Sequence, residues 1–75
     1  MVSKFNSAVA KLVLIKRREN NKTQEQLAHG IGLSPSYISD VERGIKKYNL
    51  DQINKISTFL DCSPKELIPE KYITE

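Results

Sequence analysis

The 75-residue sequence lacks the features that mark several large classes of protein. It has one cysteine, Cys62, which excludes an internal disulfide and fits a reducing compartment, so we expect a cytoplasmic protein. Its apolar stretch at residues 12–15 is too short for a signal peptide or a membrane span. With three Gly, three Pro and 39% hydrophobic residues, the composition is neither fibrous nor disordered in type.

The residue sets that carry catalysis or bind metals are also missing. His29 is the only histidine, and neither a CxxC pair nor a cluster of carboxylates accompanies it. There is no glycine-rich phosphate loop, no Ser-His-Asp set and no Cys-His pairing. We therefore expect no metal, no cofactor, no small-molecule ligand and no enzymatic activity. Cys62 is interpreted as a buried apolar filler, and His29 as an exposed bystander.

Basic residues are concentrated in the first third of the chain. The formal net charge is +3, and six of the twelve basic residues lie between Lys4 and Lys22, where Glu19 is the only acid. The remainder has six basic and eight acidic residues. This asymmetry suits contact with a polyanion, but a solvated helix face explains it equally well.

The segment from Thr23 to Gly32 predicts a short helix that ends in a turn. Thr23 is a good N-cap, and Gln26 stands three residues later, at the position of a capping-box partner. Gly30 and Gly32 follow, where the chain can turn sharply without steric cost. The apolar stripe of this helix is Leu27, Ala28 and Ile31.

A second short helix is predicted immediately after the turn. Ser34 is a good N-cap, Pro35 suits the first helical position, and Gly44 ends the helix. Ile38 and Val41 form a narrow inward stripe. The opposite face is small, polar and able to form hydrogen bonds, which suggests a contact surface.

Three further helices complete a compact all-α, five-helix domain over residues 7–68, with a loose arm at residues 1–6 and a tail at residues 69–75. The first helix spans residues 7–20, with Ser7 as its cap. The fourth begins at Asn49, which has Gln52 at its capping-box position, and the fifth begins at the cap Ser63 and ends before Pro69. The expected core stripe of the fourth helix is Leu50, Ile53, Ile56 and Leu60, with Phe59 beside it.

The first helix has more apolar residues than one stripe can bury. Val9, Val13 and the stem of Lys16 or Arg17 form its inner stripe, but the apolar stretch at residues 12–15 extends around the helix. Either the bundle contacts this helix on more than one side, or a leftover patch meets another molecule.

The motifs TQEQLA, GLS, YIS and VERG, at this spacing, resemble the helix-turn-helix of the lambdoid phage repressor and Cro class, also called the Xre family. The resemblance covers roughly residues 9–68. Within the class, the chain most resembles the small controller proteins of restriction-modification systems, through YIS, the ERG stop and the spacing to the last helices. The resemblance also implies an architectural ion pair between Arg17 and Glu42, both present here.

Double-stranded DNA is the partner that this resemblance implies, with the third helix in the major groove. Pro35 departs from the polar residue common at its position, and no Arg or Gln faces outward in that first turn, so a strong bidentate base contact is in doubt. Arg43, Lys46 and Lys47 are better placed to contact phosphates. The expected DNA-binding residues are Gln24, Ser34, Pro35, Ser36, Tyr37, Ser39, Asp40, Arg43, Lys46 and Lys47.

The expected function is that of a sequence-specific transcriptional regulator, a repressor or a controller, acting as a homodimer on a pseudo-palindromic operator. Because the chain has no separate dimerisation domain, helices four and five and the tail would supply the interface. The candidates there are Tyr48, Phe59, Ile68, Tyr72 and Ile73. The alternative is an antitoxin or adaptor that acts mainly through a protein partner.

Overall fold

A computed structural model describes residues 2–71 and 73 of the chain. Within those residues there are four α-helices, one turn of 3-10 helix and no β-strand. The helices are α1 (Lys4–Glu19), α2 (Gln24–Ile31), α3 (Pro35–Glu42) and α4 (Leu50–Phe59), and the 3-10 turn is Pro64–Leu67. None of these helices is long and apolar enough to cross a membrane.

Side-chain caps fix where α2, α3 and α4 begin, as the sequence predicts. Thr23 accepts a hydrogen bond from the backbone N–H of Gln26, and the Gln26 side chain accepts one in return from the N–H of Thr23. Asn49 and Gln52 form the same reciprocal pair at α4. Each pair satisfies backbone donors that the first helical turn leaves without partners.

The core lies where the four helices and the 3-10 turn meet. α2 packs against α3 and α4, while α1 packs against α3 and the 3-10 turn. Apolar side chains from every element are buried there. The buried set is Val9, Val13, Leu27, Ala28, Ile31, Ile38, Val41, Tyr48, Ile53, Ile56, Leu60 and Leu67.

The start of the first helix and the type of the fifth helix are predicted wrongly. The first helix begins at Lys4 rather than Ser7, because Ser3 caps it by accepting from the N–H of Asn6 at 3.1 Å, so residues 4–6 of the expected arm are helical. The fifth helix is reduced to the 3-10 turn Pro64–Leu67. Pro64 and Pro69 leave too few residues between them for an α-helix, since a proline lacks the N–H that would continue one.

The N-terminal end of α4 also differs from prediction. Leu50 is 80% exposed, whereas Tyr48, a predicted dimerisation residue, is only 5% exposed and belongs to the core. Leu50 lies in the first turn, at the edge of the helical arc that Ile53, Ile56 and the buried Ser57 define. The core at this end is filled by Tyr48 from the preceding loop, which leaves Leu50 in solvent.

The apolar excess of α1 is only partly buried. Val9, Val13 and Arg17 form the buried stripe, and Leu12 and Leu14 are half-buried on its two flanks. Contacts with both α3 and the 3-10 turn account for this wide arc. Ile15 points away from it and stays 47% exposed.

Candidate nucleic-acid interface

The joint between α2 and α3 is a tight turn held by backbone geometry. Gly32 ends α2 in the left-handed conformation, with φ of 75°, which favours glycine. Two residues later, Ser34 caps α3 by accepting from the N–H of Tyr37 at 3.2 Å. The turn therefore sets α3 at a fixed angle across α2. Contrary to the prediction, Gly30 does not belong to the turn. It lies inside α2, where its backbone packs against the Phe59 ring and a side chain would clash.

A buried ion pair attaches α1 to the end of α3. Arg17 Nε donates to Glu42 Oε2 at 2.9 Å and Arg17 Nη2 donates to Glu42 Oε1 at 3.1 Å, with both side chains only 9% exposed. Arg17 Nη1 also donates to the Lys22 carbonyl at 2.7 Å. The ion pair expected between Arg17 and Glu42 is thus present. Gln24, an expected DNA-binding residue, directs its side-chain Nε2 to Glu42 Oε1 at 2.8 Å.

The outward face of α3 displays polar groups to solvent. Pro35 and Ser36 are exposed, and Ser39 and Asp40 are half-exposed. The hydroxyls of Ser34 and Ser36 lie 3.1 Å apart and share a hydrogen bond. Ile38 and Val41 are fully buried on the other side, so packing against the core fixes which face points outward.

Tyr37 connects this face to the loop after α3. Its hydroxyl donates to the Lys47 carbonyl at 2.7 Å, and Lys46 Nζ lies 5.0 Å from the centre of its ring. The cation over the ring face is in the range for an attractive cation–π contact. The loop that carries both lysines is therefore attached to α3 through Tyr37.

Asp40 pairs with two of the cations expected to contact DNA. Its Oδ1 accepts from Arg43 Nη2 at 2.7 Å, and its Oδ2 lies 3.6 Å from Lys46 Nζ. The hydrogen bond from Arg43 lowers the pKa of the Asp40 carboxyl, and the charge of Lys46 adds to this. Asp40 is therefore ionised in the unbound protein at neutral pH.

A helix-turn-helix family model, HTH_3, matches residues 14–67, which is more than half of the chain. The chain belongs to this family. It is a helix-turn-helix DNA-binding regulator and not an enzyme. Its family resemblance to the Xre and Cro class is confirmed.

Named relatives of this helix-turn-helix protein include control proteins. Control protein C.BamHI of Bacillus amyloliquefaciens is 44% identical over 54 residues, which are 72% of this chain and 67% of the relative. The crystal structure of the restriction-modification controller protein C.AhdI from Aeromonas hydrophila superposes with a TM-score of 0.76 at 35% identity, covering 83% of this chain and 94% of that one. The transcriptional regulator SinR of Bacillus subtilis is 33% identical over 60 residues, 79% of this chain and 54% of SinR.

The expected dimerisation residues do not form one exposed patch. Tyr48 is buried in the core, and Phe59 and Ile68 pack against it while staying partly accessible. Ile73 is half-buried, and Tyr72 lies outside the described residues. Sequence reasoning missed the exposed Leu50, because the 3-3-4 spacing of the α4 stripe predicts burial at that position.

Cys62 and His29 differ in how far they are buried. Cys62 is half-buried and packs against the core, and its burial raises the pKa of its thiol. His29 is exposed on α2. No group of three or more His, Cys, Asp or Glu side chains within residues 2–71 and 73 is arranged to hold a metal ion.

Sequence reasoning also missed the proximity of the first turn of α1 to the loop after α3. One surface cleft is lined by Ser3 and Asn6 from α1 and its cap, together with Tyr37, Ile45 and Lys47. Because residues 1–6 are predicted to form a loose arm, no contact between them and the loop is expected from the sequence. The early cap at Ser3, with Asn6 three residues later, is the signal that would have shown the helix starting here.

Proposed function

We propose that this chain is a controller-type transcriptional regulator of the cytoplasm that binds a pseudo-palindromic operator as a homodimer. The observation that carries the proposal is the surface on which the polar outer face of α3 adjoins three cationic side chains, Arg43, Lys46 and Lys47. Phosphate contacts of cationic side chains give affinity and register, while polar and aromatic groups read base edges. The named control and controller proteins among its relatives support this role.

Side chains of α3, of the loop after it and of the starts of α2 and α3 divide these tasks. Ser36 and Ser39 can each donate or accept a hydrogen bond at a base edge, and the Tyr37 ring offers an apolar surface to a thymine methyl. Pro35 supplies van der Waals contact at the start of the helix. Arg43, Lys46 and Lys47 contact phosphates, with Gln24 and Ser34 at the two helix N-termini, where backbone N–H groups attract anions.

The decisive experiment is selection of bound duplexes from a random DNA pool, followed by titration of the selected site across salt concentrations. We expect an inverted repeat whose half-sites lie about one helical turn apart. Failure of well-folded protein to enrich any sequence would overturn the proposal. Equilibrium sedimentation with and without the selected duplex then measures the stoichiometry.

Two variants separate base reading from phosphate contact. Tyr37→Ala should weaken binding to the selected site more than to unrelated DNA, because it removes a group beside the bases. The double variant Lys46→Ala with Lys47→Ala should weaken binding to every duplex and flatten the salt dependence by roughly one to two phosphate contacts. Unchanged binding by both variants, with their helical circular dichroism intact, would contradict the site.

The exposed side of α1 supports a second candidate, an antitoxin or adaptor that binds a protein partner. Ile15 is 47% exposed there, opposite the buried stripe of the helix. Association through an apolar patch is nearly insensitive to salt, whereas binding through several lysines and arginines weakens steeply as salt rises. The salt titration above therefore separates the two candidates.

A further inference from the structure

We propose that Asp40 is a specificity-determining residue that competes with DNA phosphate for Arg43 and Lys46. By holding both cations in the unbound protein, it weakens binding to unrelated DNA more than binding to the operator. The inference deepens the proposed function and rests on it.

The contacts of Asp40 are those of a bridge between two cations. One carboxylate oxygen accepts from Arg43 Nη2 at 2.7 Å, and the other lies 3.6 Å from Lys46 Nζ. The Asp40 side chain is 22% exposed, against 64% for Arg43 and 49% for Lys46. The anion is thus the inner member of the cluster, and both cations lie outside it, where a phosphate would approach.

Backbone hydrogen bonds hold the loop so that Lys46 returns to α3. The Asp40 carbonyl accepts from the N–H of Ile45 at 2.8 Å and from the N–H of Lys46 at 3.3 Å. Gly44 makes this possible, because its φ of 81° turns the chain back at the end of the helix. The position of Lys46 beside Asp40 therefore follows from the backbone, whereas Arg43 reaches it at i+3 spacing on the same helix end.

These pairs contribute little to folding but matter for DNA binding. An exposed ion pair contributes little net stability to a protein, because water and salt screen the attraction between its charges. Binding to unrelated DNA depends almost entirely on cations, each of which contributes about 0.9 to the salt slope when it neutralises a phosphate. A carboxylate that must first release Arg43 and Lys46 opposes this attraction directly.

At the operator the same carboxylate can contact a base. Asp40 lies on the half-exposed outer side of α3, and a carboxylate can accept a hydrogen bond from the amino group of cytosine. Its two cations are then free to move to phosphates. On unrelated DNA no such donor is in register, so the negative charge remains a cost. Discrimination between the two kinds of DNA follows from this difference.

The test compares Asp40→Asn with Asp61→Asn on the selected operator and on a duplex of random sequence. Both variants change the net charge equally and keep the side-chain shape. Asp61 lies in the turn after α4, in the left-handed conformation with φ of 54°, which asparagine adopts readily. Neither variant should unfold the protein.

For Asp40→Asn we expect affinity for the random duplex to rise by up to about tenfold per released cation, with a salt slope steeper by about one to two. Operator affinity should rise less or fall, so the ratio of the two affinities decreases. Asp61→Asn should leave that ratio near its original value. Equal effects of both variants, or an unchanged slope in Asp40→Asn, would overturn the inference.

The two proposals fail in different ways. If the random pool yields no enriched sequence, the proposed function is overturned, and operator discrimination by Asp40 is overturned with it. If an operator is selected but Asp40→Asn leaves binding to random DNA unchanged, only the inference is overturned.

The holding step is tested separately in the free protein. The pKa of the Asp40 carboxyl, followed by NMR, should rise when Arg43→Gln and Lys46→Gln are combined. An unchanged titration would show that these cations are not held, and would overturn the inference without any DNA measurement.

Discussion

Tyr37 and Tyr48 carry the same hydroxyl group into different surroundings. The Tyr37 hydroxyl donates to the Lys47 carbonyl at 2.7 Å. The Tyr48 hydroxyl is buried and has no hydrogen-bond partner among the described residues, and burial raises its pKa above the usual value of a tyrosine. A buried polar group without a partner loses its contacts with water and gains nothing in return.

Replacing each tyrosine by phenylalanine should therefore have opposite effects on stability. Tyr48→Phe is expected to keep or increase the free energy of unfolding, by up to about 1 to 3 kcal/mol, since it removes an unpaired buried group. Tyr37→Phe should decrease it by about 1 kcal/mol through the lost hydrogen bond. Urea unfolding of the two variants measures both changes in the free energy of unfolding. A clear loss of stability in Tyr48→Phe would mean that its hydroxyl has a partner.

At the scale of helices, the attachment of α1 to α3 depends on Glu42. Its carboxylate accepts from Arg17 and from Gln24, so one acid joins three elements of the domain. Removing its charge leaves the Arg17 guanidinium buried without a counter-ion. Such a loss costs far more than the intact pair contributes, because desolvation of the remaining charge is not compensated.

Glu42→Gln should lower the free energy of unfolding by about 3 to 5 kcal/mol. The matched control is Glu19→Gln, which removes an exposed partner of Lys16 at 3.6 Å and should cost less than about 1 kcal/mol. Thermal and urea unfolding compare the two. Similar small losses in both variants would show that solvent reaches the Arg17 site in solution.

The 3-10 turn depends on pH through Glu66. Its carboxylate accepts from the Ser63 N–H at 2.8 Å and from Lys16 Nζ at 3.3 Å, and these bonds, the first above all, lower its pKa below the usual 4.5. The folded protein therefore binds fewer protons at Glu66 than the unfolded chain. This contribution is complete above the usual pKa and is lost as pH falls through the lower folded value.

Urea unfolding from about pH 6 to about pH 3 should accordingly show stability falling toward acid, with a smaller fall for Glu66→Gln. The glutamine keeps an oxygen that accepts from Ser63 but has no charge to titrate. Parallel curves for the variant and the wild type would contradict the assignment of Glu66.

At the scale of the whole molecule, two apolar side chains on different helices compete for the role of interface anchor. Leu50 on α4 is 80% exposed and Ile15 on α1 is 47% exposed. Neither belongs to the core, so each can be changed without opening a cavity. Leu50 lies on the helix that the sequence assigns to the dimer, whereas Ile15 lies on the helix of the alternative protein partner.

Leu50→Glu should shift the proposed dimer to monomer and weaken operator binding, because it would place a charge in the apolar contact proposed there. Ile15→Glu, its matched control, should leave both unchanged. Sedimentation and operator titration give the two measurements. The reverse pattern would move the dimer interface to α1, and no effect from either variant would exclude both sites.

How far the sequence predicts this molecule depends on the range of the interactions involved. The capping pairs Thr23 with Gln26 and Asn49 with Gln52 each form within four residues of the chain, so the starts of α2 and α4 are predicted correctly. The same local reasoning fails at Ser3, where a usable cap stands before the expected one. It also fails at Pro64–Leu67, where two prolines restrict a helix that has a proper cap.

The family and the two-helix motif could be determined from the sequence alone, because they depend on residue types at fixed spacings. The Arg17–Glu42 pair could be expected only through the resemblance to that family. Only the tertiary structure decided that Tyr48 is buried in the core and Leu50 is exposed, since this depends on how the loop before α4 packs against the other helices. It also decided that Asp40 holds Arg43 and Lys46. The contact with Lys46 requires the chain to fold back at Gly44, and spacing along the chain does not specify such a return, whereas Arg43 lies at i+3 on the same helix end.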